Sequence, residues 1–200
     1  METSQTRLKV TLSAFMFLQY FIWGCWYASM GTYLANTLGF DGGQVGLAYG
    51  AFAIGAIISP FFVGLIADRY FASEKLLAVF GILGGLVLCV LPQLTTFGAF
   101  YPALILYCAL FVPTLALGNS LSMHHLADPG RDFPRVKVLS AVGWMAAGMV
   151  LSALAAEQRA LQFYLAGISS IAFGPMDHEV AGRDRRCLQA SAITACRAVQ

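Results

Sequence analysis

From residue 10 onward, apolar residues run almost without charge over stretches far longer than a β-strand or an amphipathic surface helix requires: residues 10–34, 44–66, 76–94, 99–122 and 136–156. An apolar helix needs about 20 residues to cross roughly 30 Å of hydrocarbon, so the pattern predicts five complete membrane-spanning helices. A sixth span begins at 161 and breaks off near 174. The connections read as helical hairpins: NTLGFDGG at 36–43 and residues 95–98 are short turns, 68–75 is polar, and HHLADPGRDFPRVK at 124–137 is the longest loop between complete spans. Lipid offers the backbone no hydrogen-bond partners, so the spans must pack on one another as an all-α bundle. Gly46, Gly50, Gly55, Gly64, Gly81, Gly84 and Gly85 suit close helix approach.

Composition agrees with this reading and removes others. The 200 residues are 58% hydrophobic and 11% charged, with a mean hydropathy of +0.71, which excludes an ordinary soluble globule and a disordered chain. A net charge of +2 is too small for nucleic-acid binding by bulk electrostatics. The first apolar stretch is longer than the core of a cleavable signal peptide, so it is expected to stay in the membrane. Cys25, Cys89, Cys108, Cys187 and Cys196 form no Cys-x-x-Cys pair and read as small hydrophobes where they fall in apolar runs.

Cytoplasmic loops retain an excess of lysine and arginine. An inside amino terminus places Arg7, Lys9, Arg69, Lys75, Arg131, Arg135 and Lys137 in the cytoplasm and Arg159 alone outside. That orientation suits a multi-pass protein of the cell's inner, or plasma, membrane. The character of the chain changes after Gly174. Residues 175–200 carry Asp177, Glu179, Arg183, Asp184, Arg185, Arg186 and Arg197 and no sustained helical stripe. Residues 1–174 therefore read as the membrane bundle and 175–200 as an unrelated charged tail, the mark of a frame change or truncation; a natural soluble tail after a half-inserted helix is the alternative.

Few polar residues lie where they can do chemistry. On the first span Gln19, Trp23, Trp26, Tyr27 and Met30 recur at three and four residues, which puts them on one helical face. An amide beside aromatics can hydrogen-bond and stack on a planar polar solute, or can equally serve helix packing and an interfacial belt. Pro113 should kink the fourth span, and Asn119 needs a polar partner that a solute or another helix would supply. In the fifth, Asp132 reads as the N-cap with Pro134 in the first turn; Lys137, Ala141 and Trp144 share a face, where Lys137 meets a polar solute or snorkels to the interface. His124 and His125 titrate near neutrality if they do more than face solvent. Gly64-Leu65-Ile66-Ala67-Asp68-Arg69 places a glycine and an Asp–Arg pair at the cytoplasmic end of the second span. No metal-ligand cluster, nucleophile–base pair or phosphate-cradling loop is present in the sequence pattern, which argues against an enzyme and calls for no cofactor.

The Gly-x-x-x-Asp-Arg loop resembles the signature of the major facilitator superfamily, although Tyr70 to Glu74 stand where the usual glycine and basic residues would follow. QYFIWGCWYASMGTYL at 19–34, Leu38 to Gly42, the 64–69 loop, PTLALGN at 113–119 and DFPRVKVLSAVGW at 132–144 together resemble the amino-terminal half of the nucleoside:proton symporter family, over about residues 8–174. The resemblance implies the N-terminal six-helix half of a twelve-helix fold, importing nucleosides with protons by alternating access through a central cavity. It implies Gln19, Trp23, Asn119, Lys137 and Trp144 as solute-binding residues and Gly64, Asp68 and Arg69 as a conformational latch. Lys137 stands where nucleoside permeases of the family usually carry arginine, and Ser140-Ala141 where they carry Gly-Thr. This leaves another small polar solute, a sugar or a nucleobase, as an alternative. A non-transporting membrane remnant, or a subunit that assembles with a second half or as a homodimer, is the other. No carboxylate lies within the five full spans, so proton coupling would belong to the facing half.

Overall fold

The computed structural model describes residues 2–67, 73–126 and 128–172. They form α1 (Glu2–Tyr27), α2 (Met30–Asn36), α3 (Gly42–Ala67), α4 (Ser73–Val90), α5 (Phe97–His125), α6 (Pro129–Ala153) and α7 (Leu161–Ala172), with a single 3-10 turn at Leu91–Gln93 after α4. Segments Gly42–Pro60, Leu76–Gln93, Phe97–Met123 and Pro129–Ala153 are long and apolar enough to cross a membrane, and they correspond to the second to fifth predicted spans. The predicted tail, residues 175–200, lies outside the described residues.

The first predicted span is not one helix. It divides between α1 and α2 at Ala28–Ser29, where Ser29 leaves helical geometry (φ −110°, ψ 3°). Neither proline nor an exposed glycine turn breaks it. The gap is held by the Tyr49 hydroxyl of α3 and by the Gln162 side-chain oxygen of α7.

Helix ends follow local chemistry. Asp41 accepts hydrogen bonds from the Gly43 and Gln44 amides at 2.8 and 3.0 Å while the Gln44 side chain accepts from the Asp41 amide at 3.2 Å, a reciprocal capping box that starts α3. Gly39 takes φ +70°, which favours glycine, in the turn leading there. Asp41→Ala should lower stability by about 1 kcal/mol and Asp41→Asn much less, read from thermal unfolding midpoints.

The fifth span departs from expectation at both ends. Its N-cap is Asp128, which accepts from the Arg131 amide, with Pro129 at the first helical position. Asp132 is instead buried in the first turn and ion-paired with Lys9 at 2.6 Å. The expected loop at 124–137 therefore shrinks to residues 126–128, and the apolar segment Pro129–Ala153 carries the Asp132 carboxylate in its first turn. At the other end Ala156 and Ala155 donate to the carbonyls of Leu151 and Ser152, a Schellman closure that stops α6 at Ala153.

The helices pack as α1 on α6, α3 on α5 and α4 on α5, around a shared core that includes Leu12, Phe15, Met16 and Trp26 of α1, Leu104, Tyr107 and Phe111 of α5, and Phe163 and Ala166 of α7. In lipid such packing rests on close van der Waals fit rather than on expulsion of water. The glycines that permit it are only partly those expected. A Cβ on Gly55 would lie 2.9 Å from the Cys108 backbone, and one on Gly85 would lie 2.8 Å from the Gly167 carbonyl oxygen. Gly46 and Gly50 face open space, whereas Gly24 and Gly143 form the α1–α6 seam. Ser170 of α7 donates to the Gly81 carbonyl at 2.8 Å and ties α7 to α4.

Candidate functional site

Along α1, Tyr20, Trp23 and Tyr27 recur at i, i+3 and i+7, so their rings rise one above another on one side of the helix. All three are half-buried. The Trp23 ring stacks on Phe52 of α3, 4.9 Å between centroids and 6° from parallel, and meets Trp144 of α6 edge-on at 4.9 Å. Tyr27 closes the group against Phe52 at 5.7 Å and Trp144 at 6.1 Å.

Lys137 lies two turns before Trp144 on α6 and points at the base of this aromatic group. Its Nζ donates to the Tyr20 hydroxyl at 2.6 Å and to Asn119 Oδ1 of α5 at 2.8 Å, and sits 4.4 Å from the Tyr20 ring centroid. An ammonium has three donors and these bonds use two. Among the described residues no carboxylate pairs with Lys137; the ion pair of Asp132 goes to Lys9. Half-buried, set against the Tyr20 ring and without a carboxylate partner among the described residues, this cation suits a planar solute rich in hydrogen-bond acceptors.

Four of the five predicted solute-binding residues therefore come together: Trp23, Asn119, Lys137 and Trp144. Gln19 does not join them. It is 1% exposed, and its Nε2 donates to the Thr114 carbonyl at 2.6 Å and more weakly to the Thr114 hydroxyl at 3.3 Å. The Thr114 hydroxyl donates to the Phe111 carbonyl at 2.6 Å, and α5 runs on past Pro113 as one helix. Trp26 turns the same way, edge-on to Tyr107 at 5.1 Å. The expected single face of α1 is thus two: Gln19 and Trp26 look into the bundle toward α5, and Trp23 and Tyr27 look toward α3 and α6. A cavity of about 10 Å³ beside Gln19, Tyr107, Thr114 and Ser170 has room for about one water and not for a solute.

Sequence reasoning missed Tyr20 and Phe52. The i, i+3, i+7 recurrence from Tyr20 was the available signal for the first; Phe52 lay in an apolar run with nothing to mark it. Ser140 is buried and spends its hydroxyl on the Lys137 carbonyl at 2.5 Å, while Ala141 is exposed. Of the latch, Gly64 belongs to the backbone of α3, and Asp68 and Arg69 lie outside the described residues. The side chains of His124 and His125 also lie outside them.

Comparison with known proteins bears on what this geometry serves. The profile of a family described as nucleoside H+ symporter matches residues 6–177. The chain is 42% identical to YegT of Escherichia coli (strain K12) over 138 residues, 69% of this chain and 32% of that protein. It is 35% identical to the xanthosine permease of the same organism over 168 residues, 82% of this chain and 40% of that one. The crystal structure of the nucleoside transporter NupG superposes with a TM-score of 0.82 at 28% identity, covering 88% of this chain and 46% of the other. The chain thus spans a third to two fifths of the length of these curated relatives.

Proposed function

The chain belongs to the nucleoside H+ symporter family and is a multi-pass membrane protein with the fold of that family's amino-terminal half, and on that premise we propose that it serves proton-driven nucleoside import as a permease rather than as an enzyme. The observation that carries this reading is the Lys137 ammonium, held between Tyr20 and Asn119 beneath the rings of Trp23 and Trp144. Lys137 and Asn119 would hydrogen-bond the polar edge of the solute, and Trp23 and Trp144 would pack on its planar base. Gln19 would act from behind, fixing α1 on α5. A facing half, or a second copy, would complete the cavity and supply the proton-binding carboxylate, since Asp132 is engaged by Lys9. Gly64, Asp68 and Arg69 would latch the cytoplasmic helix ends, with the amino terminus inside the cell.

Cells expressing the chain in frame with its facing half should show saturable uptake of radiolabelled nucleoside that a protonophore abolishes and unlabelled sugars do not compete. Absence of saturable uptake for every nucleoside tried would defeat the proposal; competition by a sugar would move it to another solute.

A further inference from the structure

The break between α1 and α2 separates the Tyr27 carbonyl from the Gly31 amide, which a continuous helix would pair with each other, and a backbone group left unpaired away from water is costly. One side chain of α3 closes the gap. The Tyr49 hydroxyl donates to the Tyr27 carbonyl at 3.3 Å and accepts from the Gly31 amide at 3.0 Å, so a single O–H spans both sides of the discontinuity, as its one donor and two lone pairs allow. The approach depends on Gly31: a Cβ there would lie 2.9 Å from the Tyr49 hydroxyl oxygen. Ser29, inside the break, donates to Gln162 Oε1 of α7 at 2.6 Å.

The residue whose carbonyl Tyr49 holds is the one whose ring closes the aromatic group. Tyr27 packs edge-on against Tyr49 at 5.1 Å and reaches Phe52 and Trp144 with the same ring. We propose that Tyr49 is a positioning residue for the solute site: its hydroxyl bridge fixes the broken geometry of the first span, and that geometry sets Tyr27 against Phe52 and Trp144. Without the bridge, the last turn of α1 and the start of α2 have no common anchor on α3, and Tyr27 is free to leave the group. The inference rests on reading that group as the nucleoside site.

Tyr49→Phe keeps the ring and removes the hydroxyl. Hydrogen–deuterium exchange in peptides covering residues 24–36 should speed up at least fivefold at the Gly31 amide, and the KM for nucleoside uptake should rise about tenfold with maximal rate little changed, while the thermal midpoint falls with the loss of the two bonds. Gly31→Ala, which pushes the hydroxyl away, should raise KM to a similar degree. In the Tyr49→Phe background, the same change should add little, because both act through one contact. Unchanged exchange at Gly31 overturns the bridge. Faster exchange with an unchanged KM, or KM effects of the two changes that simply multiply, overturns the positioning role. A wild-type protein that takes up no nucleoside overturns the functional reading and the positioning role with it, while exchange alone still decides the bridge.

Discussion

Lys137→Met should lower kcat/KM for nucleoside uptake by about 10- to 100-fold, the loss expected when hydrogen bonds worth about 1.5–3 kcal/mol to a charged donor disappear. Methionine keeps the stem and roughly the volume but removes the ammonium that bonds the Tyr20 hydroxyl and Asn119 Oδ1. Those two oxygens then lose their donor inside a half-buried site, which adds to the cost of losing the solute contact. Lys137→Arg should retain uptake to within about threefold, because a guanidinium keeps the charge and offers a planar fork in place of a point charge. Transport assays on both variants separate the two readings of this lysine. Full uptake by Lys137→Met would mean that the cation only snorkels to the interface and that the aromatic group works without it. Equal loss in both variants would point to the packing of the stem rather than to charge.

The parts of the fold that the sequence made legible are those set by hydrophobicity over long windows. Four charge-poor runs became four membrane-crossing helices because length and composition alone decide that outcome in lipid. The parts that were not legible are set by contacts between residues far apart in the chain. Ala28-Ser29-Met30 contains no breaker; it breaks because Tyr49 and Gln162 provide hydrogen bonds that a continuous helix would forgo. The start of α6 turned on a choice between two aspartates. Asp128 is followed by proline, which favours the first helical position, and this leaves Asp132 free to meet Lys9. In the site, Lys137 and Trp144, two of the three residues that spacing put on one face of α6, meet Tyr20 and Trp23 of α1, while Ala141 between them is exposed. On α1 the stripe from Gln19 to Met30 was wide enough to face two neighbours, and only the positions of α3 and α5 show that Gln19 serves one and Trp23 the other. Glycine carried a similar ambiguity: Gly46 and Gly55 look alike in sequence, yet one faces open space and the other a backbone.

Gly143→Leu should prevent the protein from accumulating in the membrane, and Gly143→Ala should lower its thermal midpoint in detergent, by an overpacking cost of about 1–3 kcal/mol. A Cβ at 143 would collide with the Phe17 carbonyl and lie 3.0–3.1 Å from the Phe17 carbonyl carbon and Cα. These are backbone atoms of α1, which cannot swing aside as a side chain would. One turn away on the same seam, a Cβ at Gly24 would lie 2.9 Å from Ala147 Cβ and 3.1 Å from the Trp144 carbonyl, so α1 and α6 are in near-backbone contact from both sides. The same seam aligns Lys9 with Asp132, Tyr20 with Lys137, and Trp23 with Trp144. Forcing it apart therefore disturbs the ion pair and the solute site together, and the residual Gly143→Ala protein should lose nucleoside uptake out of proportion to its lost stability. Gly46→Ala is the control. Nothing lies within 4 Å of a Cβ there, and alanine is favoured over glycine in a helix by about 1 kcal/mol, so its midpoint should hold or rise. Equal midpoints for Gly143→Ala and Gly46→Ala would show that the α1–α6 seam is slack, and the alignment of Trp23 with Trp144 would then need another cause.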